Sequence, residues 1–273
     1  VTGSVNLPDN AMRLLTTSIT GWHKDFEDVQ IYTFDEVHPQ SPFYKVLTHV
    51  DKLFDGEKMK QNNNLLLAAI EELFKHNPHA DWYLLAEDDS IIIHENLVHA
   101  MEEFKLDPRQ EIIAGKCVIL SNKSGFEEKI HFHVGGSGIL ISHAMVEAMV
   151  PYIPECRRRY NHVHFGDARI GACAQFSMNR TSAMVHERCD VENKYHFSNG
   201  DVVEEVKKYS DKPDSPRMIS LHEKNPRKIA LLQEWIESQT REGVAITWDE
   251  LRDSGLLNVL EKISKDDEQA KSK

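Results

Sequence analysis

The stretch "ADWYLLAEDDSIIIHENL", Ala80 to Leu97, decides how the rest of the chain is read. It opens on an aromatic, β-prone run, Trp82 to Ala86, that reads as a buried strand. Three consecutive acids, Glu87, Asp88 and Asp89, sit at its exit, and a second apolar run, Ile91 to Ile93, follows Ser90. Like charges gathered beside a buried strand are costly unless something shares their site. In open α/β sheets, ligands bind beyond the carboxyl ends of the strands. Hard divalent cations such as Mg²⁺ and Mn²⁺ prefer carboxylate oxygens and keep positions open for substrate phosphates. The plainer reading is an acidic turn before a helix whose first residues welcome negative charge.

Outward from this stretch, apolar strands alternate with helical patterns, the signature of an α/β domain. Asp28 to Phe34 reads as a strand. Met59 to His76 reads as a helix, with Leu66, Ile70, Leu73 and Phe74 on one face and Pro78 beyond its end. Downstream, the pattern predicts a helix over Glu95 to Phe104 and a strand over Glu111 to Leu120. Two short strands flank the glycines Gly135 to Gly138, and a helix starts at His143. Further helices are expected from Asp167 to about Phe176, from Asn225 to Gln239 behind Pro226, and from Trp248 to about Ile263. A strand is expected near Ala183 to His186, and the polar tail "SKDDEQAKSK" is expected to fray. No internal repeat interrupts this order. One domain is the expectation: residues 1–240 as the working domain and 241–273 as a C-terminal helix and polar tail.

The composition narrows the classes. A net charge of −12 over 273 residues argues against nucleic-acid binding, which needs clustered Lys and Arg. The compact basic run Arg157–Arg158–Arg159 reads as a solvated face. No window of about 18 apolar residues spans a membrane, and no secretory signal pattern opens the chain. Four cysteines, Cys117, Cys156, Cys173 and Cys189, include no C-x-x-C pair, so a structural zinc site is not expected. They fit two disulfides in any of three pairings. With the sequons at Asn122 and Asn179, they lean toward an oxidising compartment.

Read as a pattern, "WYLLAEDDSIIIHENL" resembles the "W-φ-x-x-x-D-D-D-T-φ-φ-φ-x-E-N-L" segment of the Fringe and core-1 β1,3-galactosyltransferase superfamily, inverting glycosyltransferases of GT-A fold. It departs at Glu87, for the first Asp, and at Ser90, for the Thr. The order of further segments is similar. "GGSGILIS", Gly135 to Ser142, resembles the family's "GGAG-φ-φ-φ-S". "CRRRYNHVHFGDARIGAC", Cys156 to Cys173, resembles the "C-x-x-R-Y-…-G-D-D-x-R-I-x-x-C" block of the Fringe-like enzymes of plants and fungi. "MISLHEKNP", Met218 to Pro226, resembles their "L-V-S-L-H-H". "VTGSVNLPDNAMRLLTTSITGW", Val1 to Trp22, is similar to the stretch that starts at the end of the first nucleotide-binding strand.

The resemblance implies a Rossmann-like nucleotide-sugar-binding sheet flanked by helices, and a hexose moved from a UDP-sugar to a glycan or glycoprotein hydroxyl. It implies Asp89 and His222 as ligands of Mn²⁺ or Mg²⁺, and Asp167 as the base that deprotonates the acceptor. Glu87, Asp88, Thr2, Lys60, Gly135, Gly136 and Ser137 are implied to line the donor. Residence in the Golgi or endoplasmic reticulum lumen follows from the same likeness, with membrane attachment only through an anchor upstream of Val1. An inverting enzyme needs one base, because no covalent intermediate forms. Read without the family, Asp167 fits a helix cap and His222 an ordinary strand-end histidine. His131 and His133 share a strand face, as a zinc pair or as a polar wall of an acceptor cleft. Trp22, Trp82 and Tyr160 read as packing residues. The rival functions are a catalytically silent domain that binds glycans or nucleotide sugars, and a metal-dependent phosphohydrolase.

Overall fold

The computed structural model describes residues 21–26, 28–33, 47–49, 65–120, 130–163, 165–181, 186–189, 195–210, 216–242 and 246–271. A short 3-10 turn, Trp22–Asp25, precedes strands β1 (Ile31–Thr33) and β2 (Leu47–His49). Helix α1 (Leu65–His76), strands β3 (Trp82–Leu85) and β4 (Ser90–Ile92), and helix α2 (His94–Glu103) follow. The middle of the chain supplies β5 (Ile112–Gly115), β6 (Cys117–Leu120), β7 (Ile130–His133) and β8 (Ile139–Ser142), then α3 (His143–Met149), α4 (Ile153–Arg159) and α5 (Gly166–Thr181). The remainder is β9 (His186–Cys189), β10 (Tyr195–Phe197), α6 (Val202–Tyr209), β11 (Arg217–His222), α7 (Pro226–Glu242), α8 (Trp248–Asp253) and α9 (Leu256–Lys271).

Two sheets organise the molecule. One runs β3-β8-β5-β9, antiparallel except for the parallel β5–β9 pair. The other runs β10-β11-β4, with β11 parallel to β10 and antiparallel to β4. The two apolar runs around the acids therefore belong to different sheets. Glu87 to Asp89 occupy the turn where the chain leaves one sheet and enters the next.

Two large apolar cores form, and the first sheet contributes to both, with Ala114 and Leu140 in the core of the second sheet. Leu66, Ile70, Tyr83, Leu85, Ile139, Ile141, Met145 and Ile170 form one, between the first sheet and α1, α3 and α5. Ile91 to Ile93, Phe197, Val202, Leu221, Ile229 and Leu232 form the other. Trp248, Leu251 and Leu260 of the C-terminal helices lie in that second core too. The architecture is mixed α/β: small sheets flanked by helices, in one domain.

Several sequence expectations are corrected in detail. The strand expected over Glu111 to Leu120 is two, β5 and β6, in different sheets. Gly115 divides them at φ +156°, where a Cβ would stand 2.9 Å from the carbonyl oxygen of Gly138. The helix expected from Trp248 is also two. Gly255, at φ +77°, ends the first as the residue type most at ease there. The second continues through the tail to Lys271. Buried Leu260 and Ile263 hold it, and its Asp267 accepts a hydrogen bond from Asn225. The basic run is not uniformly solvated, since Arg157 is buried while Arg159 lies over the ring of Phe176. Strand β10 and helix α6 were not expected from the sequence. The expected starts of the Met59 helix and of the Ala183 strand fall outside the described residues.

Candidate active site

The acidic turn is built by Ser90. Its N–H donates to the Glu87 carbonyl (3.1 Å) and its Oγ accepts from the Glu87 N–H (3.0 Å). The same hydroxyl donates to the Gly136 carbonyl (2.9 Å), tying the acids to the glycine turn 46 residues away. On the other side, the Trp22 indole N–H donates to the Ser90 carbonyl (2.8 Å). Serine is thus more than a shortened threonine here, because it joins two loops in the buried interior.

Strand pairing then brings in the histidine. β4 and β11 run antiparallel with Ser90 opposite His222, and the Glu223 N–H donates to the Asp89 carbonyl (2.9 Å). His222 Nε2 lies 3.2 Å from Asp89 Oδ2. The Ser220 hydroxyl donates to the Ser137 carbonyl (2.5 Å), so β11 also grips the glycine turn. Gly135 and Gly136 fit because they carry no side chain. A Cβ at Gly135 would stand 2.7 Å from Glu87 Oε1, and one at Gly136 2.7 Å from His222 Nε2.

Asp167 reaches the same place from α5. Its Oδ2 accepts from the Gly135 N–H (3.1 Å) and its Oδ1 from the Ala168 N–H (2.8 Å). A capping carboxylate would take N–H groups two or three residues along its own helix. This one instead links its helix to the glycine turn. The buried Arg169 guanidinium sets the loop before it. Its Nε donates to the Val163 carbonyl (2.8 Å), and a second nitrogen donates to Asn161 O.

Glu87, Asp89, Asp167, His222 and Gly135 to Ser137 therefore converge, and Asp88 is buried beside them. Thr2 and Lys60, the other expected donor contacts, lie outside the described residues. Trp22, read from sequence as packing alone, and Ser90, Ser220 and Arg169 are the supports that sequence reasoning missed. Ser90 had one legible signal, its place directly after the acids.

The electrostatics are lopsided. Burial pushes the Glu87 carboxyl up to about 7, helped by the negative charges of Asp89, Asp167 and Asp88 and opposed by His222. Burial likewise raises Asp167, against the N–H bonds it accepts from Gly135 and Ala168. Burial pulls His222 down, but the hydrogen bond and charge of Asp89, with the charge of Glu87, outweigh it and hold the imidazole above its ordinary value. Among the described residues, Asp89 Oδ1 is buried without a hydrogen-bond partner. An orphaned buried carboxylate oxygen is the kind of atom a cation satisfies. Carboxylate oxygens with one imidazole suit Mn²⁺ or Mg²⁺ chemically. Among the described residues, no three His, Cys, Asp or Glu side chains form a ready-made coordination shell. Such cations take few protein ligands where substrate phosphates supply the rest.

The histidine pair stands apart from this cluster. His133 is buried on β7 with Nε2 3.2 Å from Cys117 Sγ, and its pKa is pushed down to about 4 by burial and then by His131. It is part of the interior, not an open polar wall. Cys156 and Cys173 form a disulfide between α4 and α5, Cα atoms 5.4 Å apart, and Cys117 is also disulfide-bonded. Among the described residues, no helix is long and apolar enough to cross a membrane.

Residues 17–222 match the family described as Fringe-like. No curated protein matches the sequence. The matched span contains the acidic turn, the glycine turn, Asp167 and His222, and the mixed α/β architecture is consistent with the GT-A-like fold of that family. With well over half its length inside that match, the chain belongs to the Fringe-like family of glycosyltransferases.

Proposed function

We propose that the protein is an inverting, divalent-cation-dependent hexosyltransferase. It moves a sugar from a UDP-sugar to a hydroxyl of a glycan or glycoprotein, forming a β1,3-type linkage. The observation that carries this reading is the convergence of Asp89 and His222 with Asp167 around one glycine turn. Asp89 and His222 would hold Mn²⁺ or Mg²⁺, and Glu87 and Asp88 would lie toward the donor. Held there, such a cation would supply positive charge to offset that of the departing diphosphate.

The protein's own groups do the rest. Asp167 accepts the proton of the acceptor hydroxyl. Burial, which raises its pKa, makes it a stronger base once ionised. The N–H groups of Gly135 and Ala168 hold its two oxygens in place, each with a lone pair left for the hydroxyl. Side-chain-free Gly135 and Gly136 leave the backbone open to close approach by a sugar. The disulfide-bonded cysteines fit residence in the secretory-pathway lumen.

The test is incubation with a panel of UDP-hexoses, with Mn²⁺ and with EDTA. Cation-dependent transfer or slow donor hydrolysis is the expected result. Tight binding of a UDP-sugar with neither would leave a silent binding domain, and phosphate release from simple esters would assign a phosphohydrolase.

A further inference from the structure

β4 has a second role beyond the acidic turn. Ile91 to Ile93 leave that turn to form a wall of an open cavity of about 330 Å³, which Trp22 and Gln233 and Ile236 of α7 also line. Neither Glu87, Asp89, Asp167 nor His222 lines it. Its volume lies at the lower end of the range typical of small-ligand sites, roughly 300–1,000 Å³.

The polar groups around it are specific. Gln233 is 7% exposed, and among the described residues its Nε2 has no hydrogen-bond partner. A buried donor left unmade costs about 1–3 kcal/mol, so this amide is maintained against stability. Asp25 and Glu95 also line the cavity, and partial desolvation of the exposed Asp25, with the Glu95 charge, raises the Asp25 pKa. Lys24 does not balance them, because it is 2.5 Å from Glu237. Apolar walls, the Gln233 amide donor, the three carboxylates Asp25, Glu95 and Glu237 and the two cations Lys24 and Arg241 are thus presented together. A phosphate or a nucleotide would face three carboxylates against two cations, one of which, Lys24, is already paired with Glu237. A neutral polyhydroxyl compound can accept from the amide, donate to the carboxylates and lay its C–H face on the isoleucines.

We propose that this cavity is a second ligand site, separate from the Asp89 site, that takes a neutral saccharide unit. Binding there needs no transfer reaction, so it can be tested whatever the outcome for the proposed activity.

The probes are the methyl glycosides of galactose, glucose, N-acetylgalactosamine and N-acetylglucosamine, and lactose. Saturation-transfer NMR and calorimetry would be run with UDP and Mn²⁺ at saturation. At least one probe should bind in the millimolar range, unaffected by UDP. Gln233→Leu and Asp25→Asn should each weaken that probe tenfold or more while UDP affinity stays unchanged. Gln233→Leu removes an unpaired donor and should keep or raise the thermal midpoint, and Asp25 is exposed, so folding is preserved. Absence of binding at tens of millimolar, displacement by UDP, or unchanged affinity in both variants would overturn the proposal. So would inorganic phosphate binding that Gln233→Leu abolishes.

Discussion

Two clusters of buried charge lie within a few residues of each other, and they are built on opposite rules. At Lys228 the ammonium is 4% exposed and sits 3.5 Å from buried Glu223 and 3.1 Å from half-exposed Asp201, so the buried carboxylate has its counter-charge inside the protein. At the acidic turn, Glu87, Asp89 and Asp167 gather around the imidazole of His222, and among the described residues one oxygen of Asp89 has no hydrogen-bond partner. Glu223 joins the two clusters, its side chain beside Lys228 and its N–H on the Asp89 carbonyl. Where the fold needs a buried charge for itself, it supplies the counter-charge. Where it leaves negative charge unbalanced, the counter-charge has to come from a ligand.

The largest expected effect tests the unbalanced side. Asp167→Asn should lower transfer about 10²–10⁴-fold, the usual worth of a positioned base, with UDP binding in Mn²⁺ retained. Near-normal transfer would end the base assignment. Asp89→Asn should abolish cation-dependent UDP binding yet leave the thermal midpoint unchanged or higher, since it removes one of several crowded buried carboxylates that share one imidazole. A clear loss of stability in that variant would mean that the carboxylate is structural and that the two clusters follow one rule.

The balanced side should behave in the opposite way. Lys228→Met leaves Glu223 and Asp201 without their cation, and removing one partner of a buried pair costs about 3–5 kcal/mol. Denaturant unfolding should show that loss.

His133 sharpens the contrast because its interior site admits no charge. Its pKa is about 4 when folded against an ordinary 6.5, so the unfolded chain binds the proton first as pH falls. The stability it contributes is complete above pH 6.5 and drains away toward pH 4, by roughly 3 kcal/mol at most. His133→Gln should flatten that acid limb of the unfolding free energy, and an unchanged limb would show that other groups set it. Ser90→Ala is the mildest change. It deletes two buried hydrogen bonds worth roughly 1 kcal/mol each, and it should loosen UDP binding more than it lowers stability, because both bonds position the acids and the glycine turn.

The features legible in the sequence were local. Trp82 to Leu85 announced a strand, Ser142 and Asn225 stood where helices begin, and both prove to be caps, Asn225 directly before Pro226 at the first helical position. The acids, the glycines, Asp167 and His222 were each visible as residue types in a recognisable order. Their convergence was not visible, because it depends on contacts between residues 32 to 135 positions apart.

The sequence by itself determined which segments are apolar, where helices start, and that a surplus of carboxylates sits after one strand. These follow from side-chain periodicity and backbone preference over a few neighbouring residues. Tertiary structure alone decided that the strands on either side of the acids enter different sheets. It decided that β11 delivers His222 to Asp89, and that Ser90 fastens the acidic turn to the glycine turn. It also split Glu111 to Leu120 at Gly115, because the close carbonyl of Gly138 leaves no room for a side chain there. Register, close approach and charge balance are properties of paired segments, and no single segment carries them.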